Sequence, residues 1–157
     1  MDINNLSQTD INELIQAEKN PKNVMEYQDI VNQVTQQLIH SSETFRCTVI
    51  DYRRKINYDF RIHTTPTESH FSVGLMFIDN GYHLLRLDFG SDLRHVNDRG
   101  TDHEYTVLGS HAHVNSPAGK YIHKNVIPIS DFKEFATLKR ISDVVTKYID
   151  YTHIKTS

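Results

Sequence analysis

Apolar and polar side chains alternate through the middle of the chain, and this pattern predicts half-buried β-strands. The alternation is clearest over residues 56–62, which read Ile-Asn-Tyr-Asp-Phe-Arg-Ile, and segments 44–51, 70–78 and 82–89 repeat it less regularly. Residues 52–55 read as a turn between the first two segments, and Asp79-Asn80-Gly81 is a strong hairpin signal between the last two. Four strands in this order form a meander, so we expect an antiparallel sheet.

Helical patterns flank this region on both sides. Ser7-Gln-Thr-Asp10 resembles a capping box, and the helix that it begins should end before Asn20-Pro21. A second amphipathic segment places Ile30, Val31, Val34 and Leu38 on one face. Near the C-terminus we expect Ser130 to cap a further helix, whose apolar stripe comprises Ile141, Val144, Val145, Tyr148 and Ile149.

The remaining segments complete a single domain. Residues 90–106 are polar and read as a long irregular loop, whereas residues 105–114 and 121–127 read as two further strands. We therefore predict one α+β domain over residues 1–157, with an antiparallel sheet of about five to six strands. Its parts are a helical N-terminal segment (1–41), the sheet (44–127) and C-terminal helices (130–152), and the helices of both ends pack on the sheet.

Composition excludes several classes of protein. The chain has 157 residues with 38% hydrophobic and 24% charged side chains, which is typical of an ordinary folded domain. Cys47 is the single cysteine, so a disulfide framework or a cysteine-based zinc module is excluded. The absence of a long apolar run and the polar N-terminus predict a cytoplasmic protein without membrane association. The formal charge of −3 excludes a global electrostatic attraction to nucleic acid but leaves a local basic face open.

Histidine is the unusual component. Six of the ten histidines fall between residues 83 and 123. Residues two apart in a strand share a face, so His111 lies beside His113, and Arg86 beside Asp88. If the two strands pair, these four side chains converge, and the loop at 90–106 can bring His95 over them. The other histidines have ordinary explanations or, like His83, His103 and His123, lie near the cluster without a defined role.

Two chemistries suit these five residues. His111, His113 and Asp88 can hold a divalent metal such as zinc and leave a coordination position open. Alternatively, His111 and His113 can act as a metal-free acid–base pair on a phosphodiester, with His95 as a third imidazole. In that case Arg86 stabilises the phosphorane-like transition state and Asp88 orients an imidazole. Both alternatives point to a phosphodiester-cleaving enzyme, with RNA as the expected substrate.

The order of these motifs resembles that of a family of small bacterial and phage-borne proteins without an assigned function. That family's core reads Leu-Arg-Leu-Asp, then His-x-Asn-Pro-Asp-Gly, then His-x-His, and the resemblance covers residues 44–154. Here the core is Leu85-Arg-Leu-Asp88, His95-x-Asn97 and His111-x-His113, but Asp98-Arg99 replaces the Pro-Asp. The layout is also similar to that of TumE-type toxins of toxin–antitoxin modules, which implies a ribonuclease-like toxin with an antitoxin partner.

Non-enzymatic functions are left open by the sequence. The domain could be a binding module, such as an anti-CRISPR-type inhibitor of a host nuclease or defence protein, and the modest charge suits a protein partner. It could also be a domain in which zinc at the His-x-His pair supports folding only. The Asn- and Gln-rich second helix could cover the sheet or form a homodimer contact.

Overall fold

The computed structural model describes residues 1–36, 39, 41–116 and 126–156 and shows an α+β fold. Within these residues, three α-helices accompany a seven-stranded antiparallel sheet and a separate two-stranded sheet. The helices are α1 (Gln8–Gln16), α2 (Val24–Gln36) and α3 (Ile141–Tyr151). The strands are β1 (Asn20–Pro21), β2 (Glu43–Asp51), β3 (Ile56–Thr64), β4 (Phe71–Phe77), β5 (His83–Phe89), β6 (Arg94–Asn97), β7 (Tyr105–Leu108), β8 (His111–Ser116) and β9 (Val126–Pro128).

The large sheet has the order β1-β2-β3-β4-β5-β8-β9, and it contains the predicted meander as β2 to β5. It is larger than the predicted five to six strands because residues 20–21 form the short edge strand β1. There Asn20 pairs with Ile50 and Pro21 with Val49. The sequence indicated only the end of a helix at this proline, but an edge strand tolerates a residue that cannot donate to the ladder.

The prediction for residues 90–114 was wrong in two respects. The expected loop contains β6, which pairs with β7 to form a hairpin. The expected single strand over 105–114 is two strands in different sheets, because Gly109 adopts a positive φ of 81° between β7 and β8. The sequence signal is weak because β6 and β7 have four residues each and lack a regular apolar alternation.

The C-terminal region also differs from the prediction. Ser130 does not cap a long helix; it lies in a 3-10 turn over Ile129–Asp131, and α3 begins only at Ile141. Phe132 and Phe135 have helical spacing, but their rings pack edge-to-face with each other and with Tyr151. This aromatic contact stabilises a compact non-helical segment, and the predicted stripe on α3 is otherwise confirmed by buried Val144, Val145 and Tyr148.

Two predicted features fall partly outside the described residues. Of the strand expected over 121–127, the structure describes only the part in β9, and His123 lies outside the described residues. Leu38 of the second helix and His40 also lie outside them. Ile30 and Val34 of that helix are buried in α2, as the amphipathic pattern predicts.

One face of the large sheet carries the hydrophobic core. Cys47, Phe60, Leu75 and Leu85 are neighbours across four successive strands, and all are buried. The ring of Phe60 packs against Tyr27 of α2 and Tyr148 of α3, with centroids 6.1 and 6.2 Å apart. The apolar residues of α1 join the same core. The helices therefore lie on this face and leave the other available for polar groups.

We call the opposite side of the sheet the open face. A register row crosses it from Arg46 through Arg61, Gly74 and Arg86 to His113. The β6–β7 hairpin covers the β8–β9 end of this face, where Asn97 Nδ2 donates to the Val126 carbonyl at 3.4 Å. None of the helices in the described ranges is long and apolar enough to cross a membrane.

The capping box at the start of α1 is confirmed. Ser7 accepts a hydrogen bond from the Asp10 backbone N–H, and the Asp10 carboxylate accepts one from the Ser7 N–H. We expect Ser7→Ala to lower the free energy of unfolding by about 1 kcal/mol, because the Asp10 backbone N–H loses its side-chain acceptor, the Ser7 hydroxyl. Urea denaturation measures this change. The Ser7→Thr variant, which keeps the hydroxyl, should retain most of the stability, and an equal loss in both variants would contradict the assignment.

Candidate metal centre

Strand pairing brings the candidate residues together on the open face. In the register of β5 with β8, Arg86 lies opposite His113 and Asp88 opposite His111. Alternation within each strand then directs all four side chains to the same side of the sheet. The β6 strand of the hairpin adds His95 from above. All five residues that the sequence singled out therefore lie in one cluster.

The Asp88 carboxylate is the centre of this cluster. Its Oδ2 atom lies 2.9 Å from His113 Nε2 and 3.3 Å from His111 Nε2, and its Oδ1 accepts a hydrogen bond from Arg86 Nε at 2.8 Å. Burial alone would raise the pKa of Asp88, but its contacts with His111 and His113 and the charge of Arg86 outweigh burial, so the pKa lies well below its ordinary value. Asp88 is therefore an ionised carboxylate in a buried position.

The backbone at Gly109 determines the tautomer of His111. His111 Nδ1 lies 2.9 Å from the Gly109 carbonyl oxygen, which can only accept, so Nδ1 carries a proton. In the neutral ring the lone pair is then on Nε2, which faces Asp88 Oδ2. Two electron-rich atoms at 3.3 Å require a proton or a metal cation between them. A backbone carbonyl on the far nitrogen is also the usual support of a metal-binding histidine.

His95 completes a group of three imidazoles. One nitrogen from each of His95, His111 and His113 lies within 4.8 Å of the others, and the ring centroids are 4.9 to 5.4 Å apart. Burial, together with the neighbouring His113 and His111, lowers the pKa of His95 to about 4. Burial also lowers the pKa of His113. Both rings are therefore neutral at pH 7, which is the form that binds metals.

A pocket of about 370 Å³ opens beside the cluster. Its wall includes Arg86 and Asp88 from β5 and the three clustered histidines, so the candidate centre borders this pocket. The other polar residues of the wall are His63, Thr65, His70, Ser72 and Arg94. His70 Nε2 lies 2.8 Å from the exposed Asp92 carboxylate at the rim.

Sequence reasoning did not connect several pocket residues with the site. His70 and Ser72 lie on the open face at the start of β4. Residues two apart in a strand share a face, so applying this rule to residues 70–76 would have placed both side chains beside the site. Arg94 was not identified because the hairpin that carries it was read as a loop. His83 lies near Arg86 and His113, and burial, followed by these two groups, lowers its pKa to about 4.

Comparison with known proteins identifies the family of the chain. No curated protein and no solved structure matches the sequence. Residues 6–154 match a family whose description is "Family of unknown function (DUF6978)", and this match spans nearly the whole chain. The chain therefore belongs to DUF6978.

Proposed function

We propose that the protein is a metal-dependent phosphodiesterase that binds a divalent ion such as zinc through His95, His111, His113 and Asp88. The observation that carries the proposal is the approach of His111 Nε2 to Asp88 Oδ2, with the proton of His111 held on Nδ1 by the Gly109 carbonyl. A cation between these atoms removes the repulsion between a lone pair and an ionised carboxylate.

The ligand geometry agrees with a compact metal centre. Zinc bonds of 2.0–2.2 Å in a tetrahedral site place the donor atoms about 3.4 Å apart. The separations of Asp88 Oδ2 from the two Nε2 atoms, 2.9 and 3.3 Å, are already near this value. One nitrogen from each of the three imidazoles lies within 4.8 Å of the other two. Nitrogen and oxygen donors of this kind suit zinc and similar transition metals.

Burial favours the metal alternative over the metal-free acid–base pair. The side chains of His111 and His113 are only 5% and 2% exposed. General acid–base catalysis requires a nitrogen within hydrogen-bonding reach of the substrate. In His111 both nitrogens face protein groups, Gly109 on one side and Asp88 on the other. The two rings are thus better placed to hold an ion than to exchange protons with a ligand.

The adjoining pocket suits a phosphodiester. Arg86 and Arg94 can pair with phosphate oxygens, because a guanidinium offers several N–H donors in a planar fork. A bound divalent ion would lower the pKa of a water molecule towards about 7 and neutralise charge on the phosphoryl group. The resemblance of the motif order to that of TumE-type toxins supports RNA as the substrate, so RNA cleavage is the activity to test.

The test combines metal analysis with a cleavage assay. We expect the purified protein to contain one zinc ion per chain and to cleave a fluorescently labelled RNA. A chelator should abolish cleavage, and zinc or manganese should restore it. The double variant His111→Gln/His113→Gln should lose both metal and activity, because two donors are removed at once. His63→Gln removes a histidine of the pocket wall outside the cluster and should retain the metal.

Three outcomes would contradict the proposal. Cleavage at the full rate in the presence of chelator would support the metal-free acid–base alternative. Bound metal with no cleavage of RNA, but a lower melting temperature after chelation, would indicate a metal that supports folding only. The absence of both metal and activity, together with a stoichiometric complex with a host protein, would indicate an inhibitor or other binding module.

A further inference from the structure

The open face carries the same ion-pair arrangement twice. On β3, Arg61 Nε donates to Asp59 Oδ2 at 2.6 Å, and on β5, Arg86 Nε donates to Asp88 Oδ1 at 2.8 Å. In each pair the two residues are two positions apart, so they share the open face. Because each contact uses Nε, the two Nη groups of each guanidinium remain able to donate to an anion.

Gly74 lies between the two pairs. It is the register partner of Arg61 on one side and of Arg86 on the other. A Cβ atom at this position would lie 3.1 Å from Arg86 Cβ, closer than a normal packing contact. The flanking strands are about 9.6 Å apart, since each strand step is about 4.8 Å. The glycine therefore lets Arg86 pack closely over β4, because Arg86 Cγ would lie only 3.3 Å from a Cβ at this position.

A third arginine extends the row away from the pocket. Arg46 on β2 is the register partner of Arg61, and its Nη2 lies 3.0 Å from the Asp59 carboxylate. The exposed fractions of the side chains rise outwards, from 35% at Arg86 to 41% at Arg61 and 61% at Arg46. We call these three residues the arginine row. It begins at the pocket wall and ends at the exposed edge of the open face.

We propose that the arginine row binds successive phosphates of single-stranded RNA and leads the strand to the candidate metal centre. This inference names the substrate class of the proposed function and rests on it. Asp59 orients Arg46 and Arg61, and Asp88 orients Arg86. An Arg–phosphate contact is charge-assisted and frequently bidentate, which suits such a position.

The dimensions and the polar groups of the face favour a single RNA strand. The row from His113 on β8 to Arg46 on β2 crosses four strand steps, about 19 Å, which is enough for a few nucleotides of an extended strand. His63 and Ser72 lie beside the row in the pocket wall, next to Asp88 and His111. The imidazole of His63 and the hydroxyl of Ser72 can hydrogen-bond to the 2′-hydroxyl of a ribose, which DNA lacks.

The experiment measures binding without cleavage. Protein treated with chelator is titrated into a fluorescein-labelled single-stranded oligouridine, and fluorescence anisotropy is recorded at several salt concentrations. We expect Arg61→Gln to weaken binding about fivefold and to lower the slope of log K against log salt by about 0.7, the contribution of one phosphate contact. Arg53→Gln removes the same charge from the exposed turn after β2, and it should change neither quantity.

Two further measurements test whether binding depends on the geometry of the arginine row and on the ribose of the RNA. Gly74→Ala keeps every charge but displaces Arg86, whose Cβ lies 3.1 Å from the position of the new methyl group, so it should also weaken binding. Its melting temperature reports whether the sheet is intact. A deoxyuridine oligonucleotide of equal length should bind several-fold more weakly than the RNA. Equal effects of Arg61→Gln and Arg53→Gln, an unchanged salt slope, or equal binding of DNA would overturn the inference.

The failure of this inference can be told apart from the failure of the proposed function. If Arg61→Gln loses RNA binding but the wild-type protein contains no metal, the arginine row is supported as an RNA-binding surface and the metal-dependent enzyme is refuted. If metal-dependent cleavage is unchanged in Arg61→Gln, the proposed enzyme activity is supported and the arginine row is overturned as its substrate-binding surface.

Discussion

We expect the Lys19→Met variant to lose about 3 kcal/mol of unfolding free energy, a large part of the 5–15 kcal/mol typical of a domain. Lys19 is fully buried just after α1. Its Nζ lies within hydrogen-bonding distance of four backbone carbonyl oxygens, those of Leu14, Ile15, Ala17 and Thr152, at 2.6, 3.1, 2.8 and 2.7 Å, and these acceptors share its three N–H donors. The residue thus joins the end of α1 to the end of α3.

The reason for the large effect is the set of acceptors that methionine cannot satisfy. Its side chain has a similar length, so the volume is nearly conserved, but it has no donor. A buried carbonyl without a partner costs about 1–3 kcal/mol. Replacing a buried ion pair with apolar groups can be neutral when both partners are removed. Here the partners of Lys19 are backbone carbonyl groups, so they stay buried in the variant and lose their donor.

Urea denaturation of Lys19→Met beside Lys22→Met provides the measurement. Lys22 is exposed three residues later, so its replacement should change the unfolding free energy by less than about 0.5 kcal/mol. The slope with urea should stay constant in both variants, so that a lower midpoint reports stability alone. Equal midpoints for the two variants would show that the Lys19 ammonium contributes nothing to the fold.

The parts of the fold that the sequence predicted are those with a regular period. The four strands of the meander show alternation over seven to nine residues, and α3 shows its stripe over nearly three turns. The hairpin β6–β7 and the edge strand β1 were not predicted, because strands of two to four residues are too short for a period to be visible. The helix expected from residue 130 failed because Phe132 and Phe135 pack in an aromatic cluster instead.

In the candidate site, too, the local features could be predicted from the sequence and the long-range features could not. Sequence spacing could place Arg86 beside Asp88 and His111 beside His113, since strand alternation is local. It could not determine that Asp88 lies opposite His111, because the register of β5 with β8 depends on contacts distant in sequence. Nor could it assign the proton of His111, which depends on the positive φ turn that presents the Gly109 carbonyl. Lys19 gave no sequence signal, since a lone lysine after a helix is usually exposed.

Asp88→Asn should have the largest effect on the candidate centre. We expect it to weaken zinc binding by at least about 100-fold and to lower RNA cleavage about 1000-fold. The amide keeps the shape of the carboxylate but carries no charge. One of its two positions is an N–H donor, which in one orientation faces the Arg86 Nε donor and in the other replaces the acceptor that lies 2.9 Å from His113 Nε2.

The unfolding free energy of Asp88→Asn, measured with and without zinc, should distinguish the contribution of the metal from that of the Arg86–Asp88 ion pair. Without metal, we expect a loss of about 2 kcal/mol, less than for a fully buried pair because Arg86 is 35% exposed and can be solvated. With zinc at about 100 times its dissociation constant, the wild-type protein should gain about 2.7 kcal/mol that the variant does not. Asp92→Asn removes an equal charge at the pocket rim and should retain the zinc-dependent gain. A wild-type melting temperature that does not respond to zinc, or a zinc response that survives in Asp88→Asn, would show that Asp88 only orients histidines and arginine.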